Sequence, residues 1–220
     1  MDDIDKSGFA DLVKGSSLYP QEKLLRAKKG SKSLRICVPN EVSLQENRVG
    51  LTPAACGILV NNDQEVFVEQ GAGKQSNFDD NEYSEAGAQI LYSKKEAFEG
   101  DVIVKVEPPT LEEIEMMQPG TTFLSALQLG NANTEYFEAL RRKKITAVAF
   151  EMIEDKVGGL PIVNAMSELA GSIVVPIAAE LLCSVKGGRG IILGGITGVP
   201  PTRVVILGAG TVAEYAARAA

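Results

Sequence analysis

The sequence predicts an α/β fold built on a parallel sheet. Between Leu34 and Glu151, apolar runs of strand length alternate with segments that carry helix start signals, the order expected of βαβ units. Proline and glycine close these runs: Pro39 follows Val38, Pro108-Pro109 follow Val106, and Pro119-Gly120 follow the segment ending at Met117. A content of 45% hydrophobic and 23% charged residues over 220 residues supplies the core such a sheet requires.

The elements follow in order. Residues 1–33 are polar and read as an N-terminal extension, with a short helix starting at Pro20. Leu34–Val38 is a buried strand by its apolar run. Thr52-Pro53 pairs an N-cap residue with proline at the first helical position, predicting a helix to about Val60. Glu65–Glu69 is the next strand, closed by Gly71-Ala-Gly73. Asp79–Ala86 reads as helix, Gln89–Tyr92 as extended, Lys94–Glu99 as helix and Asp101–Val106 as strand. Leu111–Met117 is helical, and the strands Thr121–Leu127 and Thr146–Glu151 flank a helix over Asn133–Arg142. This first unit spans 34–160 and ends in the turn-rich stretch Asp155–Pro161. Residues 161–220 form a second unit: a long apolar helix over Met166–Val185, a strand Arg203–Leu207 and a final short helix.

Charge and cysteine usage narrow the function classes. The net charge is −7, which repels phosphate backbones and argues against nucleic acid as a partner. The basic runs at Lys28-Lys29 and Arg141–Lys144 are short and read as solvated faces. Three cysteines without CxxC spacing point to reduced thiols and a cytoplasmic protein, with Cys37 and Cys183 as core residues. No apolar leader stands in the first thirty residues. The most apolar stretch, Ala170–Cys183, is too short for a bilayer and contains Pro176 and Glu180. The absence of histidine removes imidazole catalysis and histidine metal sites from this chain, and no metal site is expected.

Val204-Val-Ile-Leu-Gly208-Ala-Gly210-Thr-Val-Ala213 is a strand pattern running into Gly-x-Gly-x-x-Ala and then a helix pattern. Gly208 permits the tight turn, Gly210 lets backbone approach a pyrophosphate, and Ala213 lets the helix pack close. The helix N-terminus, from Thr211 and Val212, offers N–H groups to phosphate. The pattern predicts dinucleotide binding. The acidic residue that reads the ribose is expected about twenty residues further on, past Ala220, so the sequence reads as stopping within the first βα unit of a cofactor domain.

Four further residues stand out. Arg48 follows the first strand, in a loop where open α/β sheets bind ligands. It suits a bidentate carboxylate clamp, or equally a surface ion pair with Glu41 or Glu46. Lys105 places a charge inside an apolar strand near its carboxyl end. It reads either as a lysine snorkelling from an edge strand or as one that binds carboxylate or helps proton transfer. Ser167 and Glu168 open the long helix as cap and first-turn charge, or line a cleft between units.

The stretches Val38-Pro-Asn-Glu41, Glu46-Asn-Arg-Val-Gly-Leu-Thr-Pro53, Gly71-Ala-Gly73, Ala86-Gly-Ala88 and Val104-Lys-Val106, with Met166-Ser-Glu-Leu-Ala-Gly171, Gly194-Gly195 and Leu207-Gly-Ala-Gly-Thr211, resemble the alanine dehydrogenase and nicotinamide nucleotide transhydrogenase family. The resemblance runs from about Leu34 to Ala220. It implies a Rossmann-like (flavodoxin-like) substrate domain followed by the start of a second, NAD-binding Rossmann domain, with the active site between them. It implies reversible, NAD-dependent oxidative deamination of L-alanine to pyruvate and ammonia, by a homo-oligomer with no membrane partner. On that resemblance Arg48 grips the substrate carboxylate and Lys105 sits beside it as substrate-binding and catalytic residue. Met166 and Ser167 lie near the nicotinamide, and Gly208, Gly210, Thr211 and Val212 hold the pyrophosphate.

One departure bears on the substrate. Alanine dehydrogenases carry a catalytic histidine in a T-F-L-H-type motif, and the matching stretch here is Thr122-Phe-Leu-Ser125. Serine does not perform imidazole acid–base work near neutral pH. Two alternatives follow: a transhydrogenase α-type NAD(H)-binding subunit that passes hydride with a membrane partner, and a non-catalytic sensor of dinucleotide or carboxylate. The 220-residue chain alone is expected to be inactive.

Overall fold

The computed structural model describes residues 33–220 except Leu44 and Ala132; the helix expected from Pro20 lies outside the described residues. Six strands, β1 (Arg35–Val38), β2 (Glu65–Glu69), β3 (Gln89–Leu91), β4 (Val102–Val104), β5 (Thr122–Ser125) and β6 (Thr146–Ala149), form one sheet. Every pairing is parallel and the order is β3-β2-β1-β4-β5-β6. This is the six-stranded Rossmann order. The expected Rossmann-like fold is present; the flavodoxin-like comparison is corrected in one respect, since the flavodoxin order is 2-1-3-4-5 and here two strands rather than one lie beyond β1.

Helices α1 (Pro53–Val60), α2 (Asp80–Glu85), α3 (Lys94–Ala97), α4 (Leu111–Met116) and α5 (Thr134–Lys143) connect the strands. Their starts follow the sequence signals. The Thr52 hydroxyl accepts the Ala55 N–H with Pro53 at the first position, and Asp79 and Thr110 each form a capping box, with Glu82 and Glu113. The sheet is covered on both faces, which explains why its strands are near-continuous apolar runs. Cys37, Ile103 and Phe123 pack with Phe98 and Met117 on one side. Val38, Val66 and Val68 pack with Cys56 and Tyr83 on the other. Each such fully buried side chain contributes roughly 1.5–3 kcal/mol.

Helix α6 (Pro161–Leu182) and helix α7 (Thr211–Ala219) follow the sheet, and here the expectations need correction. Helix α6 starts at Pro161, five residues before the expected Met166, because proline at the first position is itself the start signal. Ser167 and Glu168 are therefore interior helix residues, not a cap and a first-turn charge. Cys183 is exposed, not core; the apolar helix before it is itself largely exposed, Leu181 at 65%, so its apolar character marks no core among the described residues. At 22 residues, with an 18-residue stretch of mean hydropathy 1.6, α6 is long and apolar enough to cross a membrane by length and composition alone, so the expectation of a stretch too short for a bilayer does not hold. No strand forms over Arg203–Leu207. Strand hydrogen bonds need a neighbouring strand, and none lies beside this segment among the described residues; Val205 and Leu207 are 73% and 96% exposed.

Candidate active site

Strand order reverses between β1 and β4, and the crevice outside the carboxyl ends of strands at such a point is where open α/β sheets bind ligands. Its walls are the loops after β1 and β4, which carry Arg48 and Lys105. Carboxylates tie the rim together. Glu69 accepts the Asn40 N–H at 2.8 Å, and Glu41 accepts those of Val106 and Glu107 at 2.7 and 3.3 Å. Glu151 accepts those of Leu127 and Gln128 at 3.2 and 2.9 Å. Each bond runs from a side chain at or beyond the carboxyl end of one strand to the backbone beyond its neighbour.

Arg48 is held by Glu46, one of the two partners open in the sequence. Arg48 Nε donates to Glu46 Oε1 at 2.8 Å and Nη2 to Oε2 at 2.6 Å, and the Arg48 backbone N–H also donates to Oε1. This fork is charge-assisted and planar. It holds the Glu46 carboxyl below the usual carboxylate range. The Glu46 side chain is 8% exposed and that of Arg48 58%, so the pair has a rooted end and an open end. Arg48 Nη1 reaches Met166 Sδ at 3.4 Å, a weak acceptor.

Lys105 is fully buried. It follows β4 directly, its N–H donates to Leu124 O, and β4 lies between β1 and β5. The snorkelling edge-strand reading is thereby corrected. Its Nζ donates to Glu113 Oε2 at 3.0 Å and stands 3.6 Å from Glu41 Oε2. Glu113 Oε2 also accepts the Thr110 N–H, while Oε1 lies 3.1 Å from Lys94 Nζ without hydrogen-bond alignment. Val104 pairs with Leu124, which puts Ser125 beside Lys105 in the next register position. Ser125 is fully buried and its hydroxyl has no hydrogen-bond partner among the described residues.

A second site lies between α6 and the Gly-x-Gly-x-x-Ala turn. A cavity of about 980 Å³ is lined there by Asn164, Ser167, Gly208, Gly210, Thr211 and Val212, among others. Gly208 has φ 133°, a region that glycine alone enters without strain. Gly210 caps α7 with no side-chain bond to the first turn, so the N–H groups of Thr211 and Val212 are left for another acceptor. The structure thus gathers Ser167 with the four turn residues and takes Met166 to Arg48 instead. Asn164 escaped the sequence reading because the helix start was placed after it.

Helices α6 and α7 meet at Gly171, where a Cβ would stand 2.5 Å from Val212 O and 3.0 Å from Ala216 N. These are backbone atoms that cannot step aside. Gly171→Ala is expected to separate the helices, costing about 1–3 kcal/mol as overpacking and lowering the urea midpoint. An unchanged midpoint would remove the close contact from the account.

The alanine dehydrogenase/PNT N-terminal domain family matches residues 37–170, and the corresponding C-terminal domain family matches 174–220. This chain belongs to the alanine dehydrogenase/PNT family. An alanine dehydrogenase of Bilophila wadsworthia is 38% identical over 187 residues, covering 85% of this chain and 49% of that protein. One from Methanococcus maripaludis is 39% identical over 84% of this chain and 50% of its own length. A solved L-alanine dehydrogenase superposes with a TM-score of 0.79 at 41% identity, over 84% of this chain and 51% of that one. A solved transhydrogenase from Sinorhizobium meliloti gives a TM-score of 0.61 at 26% identity, over 67% and 44%. The chain thus spans about half the length of the alanine dehydrogenase/PNT relatives it matches.

Proposed function

We propose that the intact protein is an NAD-dependent alanine dehydrogenase, interconverting L-alanine with pyruvate and ammonia as a cytoplasmic homo-oligomer. In this reading 34–160 is the substrate domain and 161–220 opens the cofactor domain. The observation that carries it is Arg48, anchored on one guanidinium edge by Glu46 and open on the other at the strand-order reversal. A substrate carboxylate docks on the open edge, replacing the weak sulfur contact of Met166 with charge-assisted bonds. Fixing the carboxylate orients the α-carbon toward the Gly208–Val212 turn and the α6 face of Ser167, where the residues present fit a dinucleotide.

The uncapped first turn of α7 takes the pyrophosphate, and Gly210 leaves room above its backbone. NAD, when bound, accepts or returns the hydride. The chain's own residues bind the carboxylate, orient the α-carbon and shape the crevice. Without histidine in these 220 residues, no imidazole here moves the proton.

Ser125 favours a second reading: a transhydrogenase-type NAD(H)-binding protein, with no substrate proton to move. The test is NADH oxidation by the intact protein. Absorbance loss that requires both pyruvate and ammonium supports the dehydrogenase. NADH binding without turnover of any 2-oxo acid supports the second reading, or a sensor.

A further inference from the structure

We infer that Lys105 is a positioning residue: its buried ammonium holds the Glu41 carboxylate in place, and Glu41 in turn fixes the backbone of Val106 and Glu107 as a wall of the substrate crevice. The inference deepens the proposed dehydrogenase reading and rests on it only for the meaning of the crevice. Three observations carry it. First, Lys105 has no exposed surface, so a ligand entering the crevice meets its neighbours before it meets the ammonium. Second, the ammonium already faces two carboxylates, Glu113 at 3.0 Å and Glu41 at 3.6 Å. A buried cation with two anionic partners is held in place, and detaching it toward a substrate would take from each carboxylate its contact with a fully buried charge. Third, Glu41 bridges elements: it starts in the loop after β1 and accepts two N–H groups beyond β4.

The groups around Glu41 set the sign of its response to pH. Burial pushes its carboxyl up and Glu46 adds to this, while the Val106 N–H, Lys105 and the Glu107 N–H pull it down. Glu113 lies behind Lys105, and Arg48 also senses Glu41 and Glu107. Only the ionised carboxylate accepts both amides with charge assistance. On acidification the clamp is therefore lost as Glu41 protonates, above the ordinary glutamate range. Removing the lysine charge moves that loss to still higher pH.

The experiment is amide hydrogen exchange of the 105–107 segment in the intact protein, as a function of pH, in Lys105→Met and Glu41→Gln beside the parent. The parent is expected to lose protection on acidification. Lys105→Met is expected to exchange on the order of tenfold faster near neutral pH, the loss of a charge-assisted bond, with the acid limb shifted up. Glu41→Gln should exchange equally fast with no acid limb, and it keeps the test decisive where Lys105→Met fails to fold. Unchanged protection in Glu41→Gln overturns the inference, as does Lys105→Met with the parent's exchange and acid limb. Where turnover is measurable, KM for the oxo acid should rise more than kcat falls. A collapse of kcat in Lys105→Met at every pH with parental exchange would instead make Lys105 a substrate contact. Exchange is read without turnover, so failure of the dehydrogenase reading leaves this test intact.

Discussion

Arg48→Ala is expected to lower kcat/KM for pyruvate by roughly 10²–10³, because it removes a charge-assisted carboxylate clamp worth about 3–4 kcal/mol. The variant should fold normally, since the Arg48 side chain is 58% exposed. Glu46 loses its partner but keeps the backbone N–H of residue 48. Ammonium affinity should change little, because in the proposed reading the arginine takes the carboxylate end of the substrate. Arg48→Lys should recover only part of the loss: a point charge cannot serve Glu46 and the substrate from two edges of one plane. Turnover in Arg48→Ala within threefold of the parent would dismiss the arginine as the carboxylate grip.

The second large effect concerns stability. Glu113→Ala is expected to lower unfolding free energy by about 3–5 kcal/mol, the cost of breaking a buried ion pair and leaving the Lys105 ammonium only the Glu41 carboxylate 3.6 Å away. Glu113 is fully buried and answers the Lys105 ammonium, the Lys94 ammonium and the Thr110 N–H at once. Thr110→Ala separates the two contributions. It removes only the hydroxyl that accepts the Glu113 N–H, for about 1 kcal/mol as an N-cap loss. Urea unfolding of the intact protein reads both, as a fall in midpoint at constant slope. Similar losses in the two variants would show that the ion pairs add little beyond the cap.

How much of this was legible in the sequence follows from what each residue depends on. The strands and helices of the sheet were legible because their apolar periods and caps are local: Thr52-Pro53 and the run Glu65–Glu69 need no distant partner to be recognised. Arg48 was legible as a position, but its choice of Glu46 over Glu41 depends on the loop's path. Lys105 was noticed for its charge; its burial between two glutamates depends on α4 folding back over β4. The pattern Thr110-Leu-Glu-Glu113 was a capping-box signal that was not read, and it would have pointed to Glu113. The Arg203–Leu207 pattern has strand character but acquires strand structure only beside a neighbour. The cap reading of Ser167 fails because Pro161 marks the start of α6, and the core reading of Cys183 fails because the apolar helix before it is itself largely exposed.

The carboxylates that tie the crevice rim have a consequence for anyone recombining this fold. Three rim loops are not self-sufficient: residues 106–107 depend on Glu41, 127–128 on Glu151 and Asn40 on Glu69. Grafting one loop from a relative, to import its substrate preference, would leave the new backbone amides facing an acceptor shaped for the old ones. The transferable module is a loop together with the glutamate contributed by the adjacent strand's exit. Chimeras cut at strand ends would break every such pair, whereas chimeras that exchange neighbouring exits together would preserve them.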